Sequence, residues 1–183
     1  MVMGGAIVNR DYIMNNFPVL ITERLMLRQL SDKDVKEVFI LRSDKLINKY
    51  LDRQPCTTIE DAFGFIKKIK NTSLTYWAIA QKGEDKLIGT ICLFNISKEL
   101  KTCEIGYELL AEYHGKGIMK EAAKKVIEFA SQTLEIETIE AYTHKENESS
   151  INLLKALGFV VANMVDEVNP NLILGRLDTS NIE

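Results

Sequence analysis

The sequence predicts an α/β (α+β) domain, built as one mixed, mostly antiparallel sheet with helices on both faces. Three observations carry this. Residues Leu74 to Asn95 alternate around a Lys82-Gly83-Glu84-Asp85 turn, the pattern of a β-hairpin. Ile118, Met119, Ala122, Ala123, Val126, Ile127 and Ala130 form an apolar stripe at helical spacing. Alternating runs on either side of that stripe, from Cys103 and from Thr138 to Thr143, read as strands. A strand–helix–strand connection of this length is a right-handed crossover that sets its two strands parallel.

The elements follow in order. Residues 1–19 read as a leader, left without assigned structure. From Leu20 to Leu30, Leu25, Leu27 and Gln29 alternate with Met26, Arg28 and Leu30, predicting one strand. Ser31 with Asp34 three residues on has the form of a capping box. It starts a helix to about Arg42, with Val35, Val38, Phe39 and Leu41 or Arg42 inward. Pro55 breaks the chain. Thr57 or Thr58 caps a second helix to about Asn71, with Ile59, Ala62, Phe63, Ile66 and Ile69 at helical spacing. After the hairpin, a polar loop through Lys101 leads to the Cys103 strand and completes an antiparallel meander. The striped helix runs from about Lys116 to Thr133, and Lys120, Glu121, Lys124, Lys125 and Glu128 read as its solvated face. Asn147 caps a short helix that ends at Leu157, with Gly158 suited to the position after it. Phe159 to Asn163 and Leu172 to Leu177 are the closing strands. The domain is placed at residues 20–178, with a tail at 179–183.

Composition narrows the function. The chain has 183 residues and a net charge of −3, enough for one domain with a real core and without a basic field for nucleic acid. No apolar run is long enough to span a membrane, and Met1 to Phe17 lacks the order of a secretory signal. Cys56, Cys92 and Cys103 are odd in number and without metal spacing, so they read as reduced thiols of a cytoplasmic protein. His114 and His144 lie far apart, and no metal site is expected.

The chemistry gathers at the Cys103 strand. Cys103, Ile105, Tyr107 and Leu109 share one face, and Glu104, Gly106 and Glu108 the other. The chain changes from antiparallel to parallel pairing here, and ligands favour such switch points. His114-Gly115-Lys116-Gly117-Ile118-Met119 follows and opens a helix. Two glycines free the backbone to turn its N–H groups inward, and the helix adds unpaired donors and a positive dipole end. This suits a phosphate or pyrophosphate, with Lys116 as a nearby charge. The plainer reading is a tight turn. A P-loop is disfavoured, because Lys116 is not followed by Ser or Thr.

Four stretches resemble the GNAT superfamily of acetyl-CoA-dependent N-acetyltransferases, in its RimJ/RimL-like branch of ribosomal-protein N-acetyltransferases. They are Thr22 to Arg28, Glu104 to Tyr107, His114 to Met119 with Glu121 and Ala122, and Asn147 to Ser150 with Leu153 to Phe159. The resemblance runs from Leu20 to Leu177. It implies a single GNAT-like domain with a splayed central strand pair. It implies that the backbone N–H groups of His114, Gly115, Lys116, Gly117, Ile118 and Met119 hold the acetyl-CoA pyrophosphate. Leu109 and Leu110 fall where the family's strand splays beside the pantetheine arm. Asn147 falls where the family contacts the pantetheine or orders the loop, Glu104 where several members place a general base, and Ser150 where the branch places a group near the thioester sulfur.

The residues alone leave simpler roles open. Glu104 and Glu108 can be structural strand carboxylates, Asn147 an N-cap, and Ser150 a first-turn hydroxyl. Tyr107 reads as packing. Many relatives have a tyrosine acid where this chain has Leu154, which leaves Ser150, Tyr142, Tyr107 or water as proton donor. The acceptor implied by the branch is a protein N-terminal amine, and the alternative is a small amine, amino acid or aminoglycoside. A non-catalytic acyl-CoA sensor is the alternative from another class. Acceptor contacts are expected from Asp34 to Asn71 and from Asp166 to Asn171. A homodimer is compatible with the sequence but not required by it.

Overall fold

The alternation at Leu20 to Leu30 gives two strands rather than one. In the computed structural model, which describes residues 17–72, 75–165 and 169–181, β1 (Leu20–Ile21) and β2 (Leu25–Gln29) pair antiparallel with Leu20 opposite Leu27. The cause is Thr22. Its hydroxyl accepts the Leu25 N–H at 2.9 Å, while its own N–H donates to the Leu25 carbonyl at 3.0 Å. A short polar side chain that captures nearby backbone turns the chain where a strand would continue. Phe17 packs edge-on to Trp77 at 5.9 Å and the Trp77 indole N–H donates to the Pro18 carbonyl at 2.7 Å, so this end of the expected leader touches the core.

α1 (Val35–Ser43) follows a 3-10 turn at Asp32–Asp34. The Asp34 carboxylate accepts hydrogen bonds from the Ser31 N–H at 2.8 Å and from Arg28 Nη1 and Nη2 at 2.8 and 2.7 Å. α2 (Ile59–Thr72) starts on a reciprocal cap. The Asp61 N–H donates to Thr58 Oγ1 at 3.2 Å, and the Asp61 carboxylate accepts the Thr57 and Thr58 N–H groups at 2.8 and 2.9 Å. Ala62 and Ile66 face inward as expected, but Ile59 is exposed. Phe65 takes an inner place instead, edge-on to Tyr76 at 5.7 Å.

The remaining elements are β3 (Tyr76–Gln81), β4 (Leu87–Ser97), β5 (Thr102–Leu109), α3 (Ile118–Leu134), β6 (Thr138–His144), α4 (Glu148–Ala156), β7 (Val160–Val165) and β8 (Leu172–Asp178). Leu74, placed in β3 by the sequence, lies outside the described residues, as do residues 166–168 of the expected acceptor loop. The eight-stranded sheet has the order β1-β2-β3-β4-β5-β6-β8-β7. Every neighbouring pair is antiparallel except β5 with β6. That parallel pair is the one joined through α3, as the crossover rule requires. Thr179–Asn181 form a 3-10 turn after β8, and Thr179 donates its hydroxyl to the Ile136 carbonyl at 2.7 Å.

The sheet is covered on both sides. On one face Leu25, Leu27, Trp77, Ile79 and Ile91 meet the α3 stripe, where Ala122, Ala123 and Ala130 are fully buried. Alanines let the helix lie close to the strands. On the other face Leu30, Ala78 and Leu87 meet Val38 and Leu41 of α1 and Ala62 and Ile66 of α2. Each fully buried large apolar side chain contributes roughly 1.5–3 kcal/mol. This two-sided core fixes the sheet rigidly, and the functional feature is a gap in it. β5 and β6 pair only at Thr102–Thr138, Cys103–Ile139 and Glu104–Glu140. Both strands continue beyond these pairs, and they splay into a V.

Candidate functional site

The V has two chemically different sides. Ile105 and Leu109 of β5, with Ala141 and Thr143 of β6, are buried on the α3 side. Glu104, Gly106 and Glu108 point to the α1–α2 side, as do Glu140, Tyr142 and His144 by strand alternation. One side is therefore apolar and the other carries carboxylates. Glu104 and Glu140, the last paired residues, stand at the vertex.

The glycine loop lies at the end of the β5 arm. Gly115 and Gly117 have φ of +71° and +73°, a region that side chains with a Cβ rarely adopt. Gly117 is the residue immediately before α3. Ile118 and Met119 bury their side chains, at 6% and 8% exposure, so they offer the loop only their backbone. The His114 imidazole donates from Nε2 to the Leu109 carbonyl at 2.8 Å and pins the loop to the strand end. Lys116 Nζ lies 5.5 Å from the centre of the Tyr113 ring. Left-handed glycines, first-turn N–H groups and a helix dipole suit an anion such as a pyrophosphate. Leu110 sits differently from Leu109. Its N–H donates to the Ile88 carbonyl at 2.9 Å and its side chain joins the α1–α2 core.

The carboxylates divide into two roles. Glu104 accepts from the Asn95 amide at 2.7 Å and has no cation partner among the described residues. Glu108 is buried, at 9% exposure, and accepts from Arg53 at 2.5 Å and from the Thr90 hydroxyl at 3.1 Å. Between them, Gly106 makes room for the Phe94 ring. A Cβ there would lie 3.2 Å from Phe94 Cε1.

Arg53 belongs to the segment between α1 and α2, and it also donates to Asn48 at 2.7 Å. In the same segment Tyr50 stacks on His144 at 5.1 Å between ring centres. Residues 44–58 therefore contact both arms of the V, through Glu108 on β5 and His144 on β6. No periodicity marks this segment, so neither contact is readable from sequence.

On the apolar side, Tyr107 and Ser150 share a hydrogen bond of 2.9 Å between their hydroxyls. Asn147 caps α4, accepting the Ser150 N–H at 3.2 Å. Burial pushes the Tyr107 hydroxyl pKa up, and the Ser150 bond opposes the shift. Of the proton donors considered, Tyr107 is the one brought to Ser150. Tyr142 points to the opposite side and Leu154 is fully buried. Burial pushes the Cys103 and Cys92 thiols up to about 12, so neither is a thiolate nucleophile at neutral pH.

Glu121 corrects the expectation of a solvated helix charge. Its carboxylate accepts the Thr22 hydroxyl at 2.5 Å, the Arg24 N–H at 2.9 Å and Arg24 Nε at 2.6 Å. It fastens the β1–β2 turn to the first turn of α3.

Residues 24–160 match the family described as the acetyltransferase (GNAT) domain. The chain is 37% identical over 145 residues to the uncharacterized N-acetyltransferase p20 of Bacillus licheniformis, covering 76% of this chain and 81% of that one. It is 26% identical over 136 residues to the spermidine N(1)-acetyltransferase of Escherichia coli, covering 74% of this chain and 72% of that one. The crystal structure of a GNAT-family acetyltransferase from Bacillus anthracis superposes with a TM-score of 0.80 at 22% identity, covering 90% of this chain and 100% of that one.

Proposed function

The chain belongs to the GNAT acetyltransferase family and is an N-acetyltransferase, and we propose that it transfers acetyl from acetyl-CoA directly to a primary amine. The observation that carries this is the V between β5 and β6, with left-handed Gly115 and Gly117 at its open end and Glu104 at its vertex. Acetyl-CoA supplies an activated acetyl group as a thioester. The backbone N–H groups from His114 to Met119 hold its pyrophosphate, and the apolar side of the V, beside Ile105, Tyr107 and Leu109, takes the arm that follows. Asn147 orders the start of α4 beside that arm.

The acceptor approaches from the carboxylate side. A protonated amine cannot attack, and Glu104 takes its proton, directly or through water. The departing sulfur needs little help, since a thiol has a pKa near ~8.5. The Tyr107–Ser150 pair stands on the apolar side, with the arm, as a proton donor. Neither Cys92 nor Cys103 is ionised for a covalent intermediate, which supports direct attack.

For the acceptor we favour a protein N-terminal amine, as the branch resemblance implies. Its pKa near ~8 lies below the ~10.4 of a lysine amine, so a single carboxylate base suffices more readily. A small polyamine is the second reading. It is supported by Glu104, the carboxylate on the acceptor side that no cation of the described residues claims, whereas Glu108 is paired with Arg53 and Glu140 with Arg176, and by the likeness to a spermidine acetyltransferase.

The test is calorimetric titration with acetyl-CoA of the wild type and of Gly117→Trp, which blocks the loop. Saturable binding that the variant loses is expected. Release of CoA is then followed with N-terminal peptides and with spermidine. A folded wild type that does not bind acetyl-CoA overturns the reading.

A further inference from the structure

The glycine loop is held from outside itself. Gly115 and Gly117, one residue apart, give it more conformational freedom than an ordinary stretch of the site. A loop that must present several N–H groups to one anion needs that freedom removed before the ligand arrives. From α3, the Glu121 N–H donates to the Gly117 carbonyl at 3.1 Å. The Glu121 side chain then reaches away from the loop to Thr22 and Arg24.

Arg24 returns the connection. Its Nε donates to Glu121 Oε2 at 2.6 Å, and its Nη1 donates to the Lys116 carbonyl at 3.2 Å. The guanidinium thus bridges the residue before Gly117 and the residue at the first turn of α3. The place a Gly117 Cβ would occupy is 3.6 Å from Arg24 Nη2. The bridge spans the peptide stretch in which the left-handed φ of Gly117 sets the loop's shape.

Charge adds a second reason. A carboxylate in the first turn of α3 suits the helix dipole but repels a phosphate at the same helix end. Arg24 neutralises Glu121 at that point. The Arg24 side chain is 51% exposed, so the pair is screened and contributes little to global stability. Its consequence is local, at the loop.

We propose that Arg24 and Glu121 are positioning residues for the cofactor loop, holding Lys116 to Met119 in the anion-receiving conformation. This rests on the acetyl-CoA reading of the same site. Neither residue is required to touch the ligand.

The experiment uses Arg24→Gln, Glu121→Ala and Glu121→Gln in the full chain, with two readouts. In the ligand-free proteins, the backbone amide order parameters of Lys116 to Met119 are expected to fall from the rigid range of about 0.85 toward about 0.6 in Arg24→Gln and Glu121→Ala. Glu121→Gln still accepts the Thr22 hydroxyl and Arg24 backbone donors and recovers part of the order. In binding, the same two variants weaken acetyl-CoA about tenfold. Their turnover of S-acetylpantetheine, which carries the thioester without phosphates, stays at the wild-type level.

Unchanged order parameters in the loop overturn the proposal, whatever the binding data show. So does an equal loss with acetyl-CoA and with S-acetylpantetheine, which marks general damage rather than a positioned loop. Failure of the wild type to bind acetyl-CoA overturns the cofactor reading instead, and the loop order parameters still decide whether the pair holds the loop.

Discussion

Glu104 stands where the sheet stops being continuous, and its chemistry follows from that position. It is the last β5 residue paired with β6, it is hydrogen-bonded to a neutral amide, and it has no cation partner among the described residues. Glu108, four residues on, is buried against Arg53. A carboxylate already committed to a guanidinium is a poor base, so the two residues separate by environment rather than by type. Glu104→Gln is expected to lower kcat/KM by about 10²–10⁴-fold near neutral pH, the usual contribution of a general base. Acetyl-CoA binding is expected to be unchanged. The deficit shrinks as pH rises and the amine loses its own proton to solvent. A pH–rate profile checks this, and a deficit that stays constant across pH would mean that Glu104 only positions the acceptor. The split between these two glutamates was half legible. Alternation put both on one face, but it could not show that Arg53, 55 residues away in sequence, claims Glu108 and leaves Glu104.

The segment between α1 and α2 shows the same limit at the scale of elements. Strands and helices were legible because periodicity records a buried face: the α3 stripe, the Trp77–Ile79 face and the three capping sites all lie where the pattern put them. Two readings failed locally. The Leu20 to Leu30 alternation continued through a turn made by Thr22, and Ile59 kept helical spacing but not burial. Residues 44–58 have no period, because their contacts are single side chains reaching distant strands. Arg53 meets Glu108 and Tyr50 meets His144, so the segment straps the two arms of the V on the acceptor side. Glu108→Ala removes the carboxylate and leaves the Arg53 guanidinium, 20% exposed, without its charge partner. The expected loss is about 2–4 kcal/mol, since stranding a partly buried charge costs more than losing a surface pair. Urea unfolding measures it. A loss below about 0.5 kcal/mol, the range of an ordinary surface substitution, would show that the strap is not anchored there.

At the scale of the whole molecule, acids fasten turns and helix ends at the edges of the core. Glu121 joins the β1–β2 turn to α3, Asp61 caps α2, and Asp178 holds the turn after β8 through Ser180. Each is held below its ordinary pKa. For Glu121, burial opposes the shift, while the Thr22 and Arg24 hydrogen bonds and the Arg24 charge produce it. For Asp61, the Thr57 and Thr58 backbone donors lower it from 3.8 to about 2, and for Asp178 the Ser180 hydroxyl and N–H lower it. A carboxyl whose folded pKa is depressed stabilises the fold fully above its unfolded pKa and loses that contribution as pH falls through the folded value. The unfolded values are 4.5 for Glu121 and 3.8 for the two aspartates. These acids therefore leave Tm flat between pH 7 and about 5, and Tm falls as pH drops from about 4.5 toward 2. Glu121→Gln cannot titrate, so its Tm starts lower at neutral pH and falls less steeply over the upper part of that window. Thermal melts of the wild type and Glu121→Gln from pH 7 to about pH 2.5 compare the two slopes across that window. Parallel curves would show that Glu121 is held no better in the folded chain than in the unfolded one, and the link between the N-terminal hairpin and α3 would have to come from apolar packing alone.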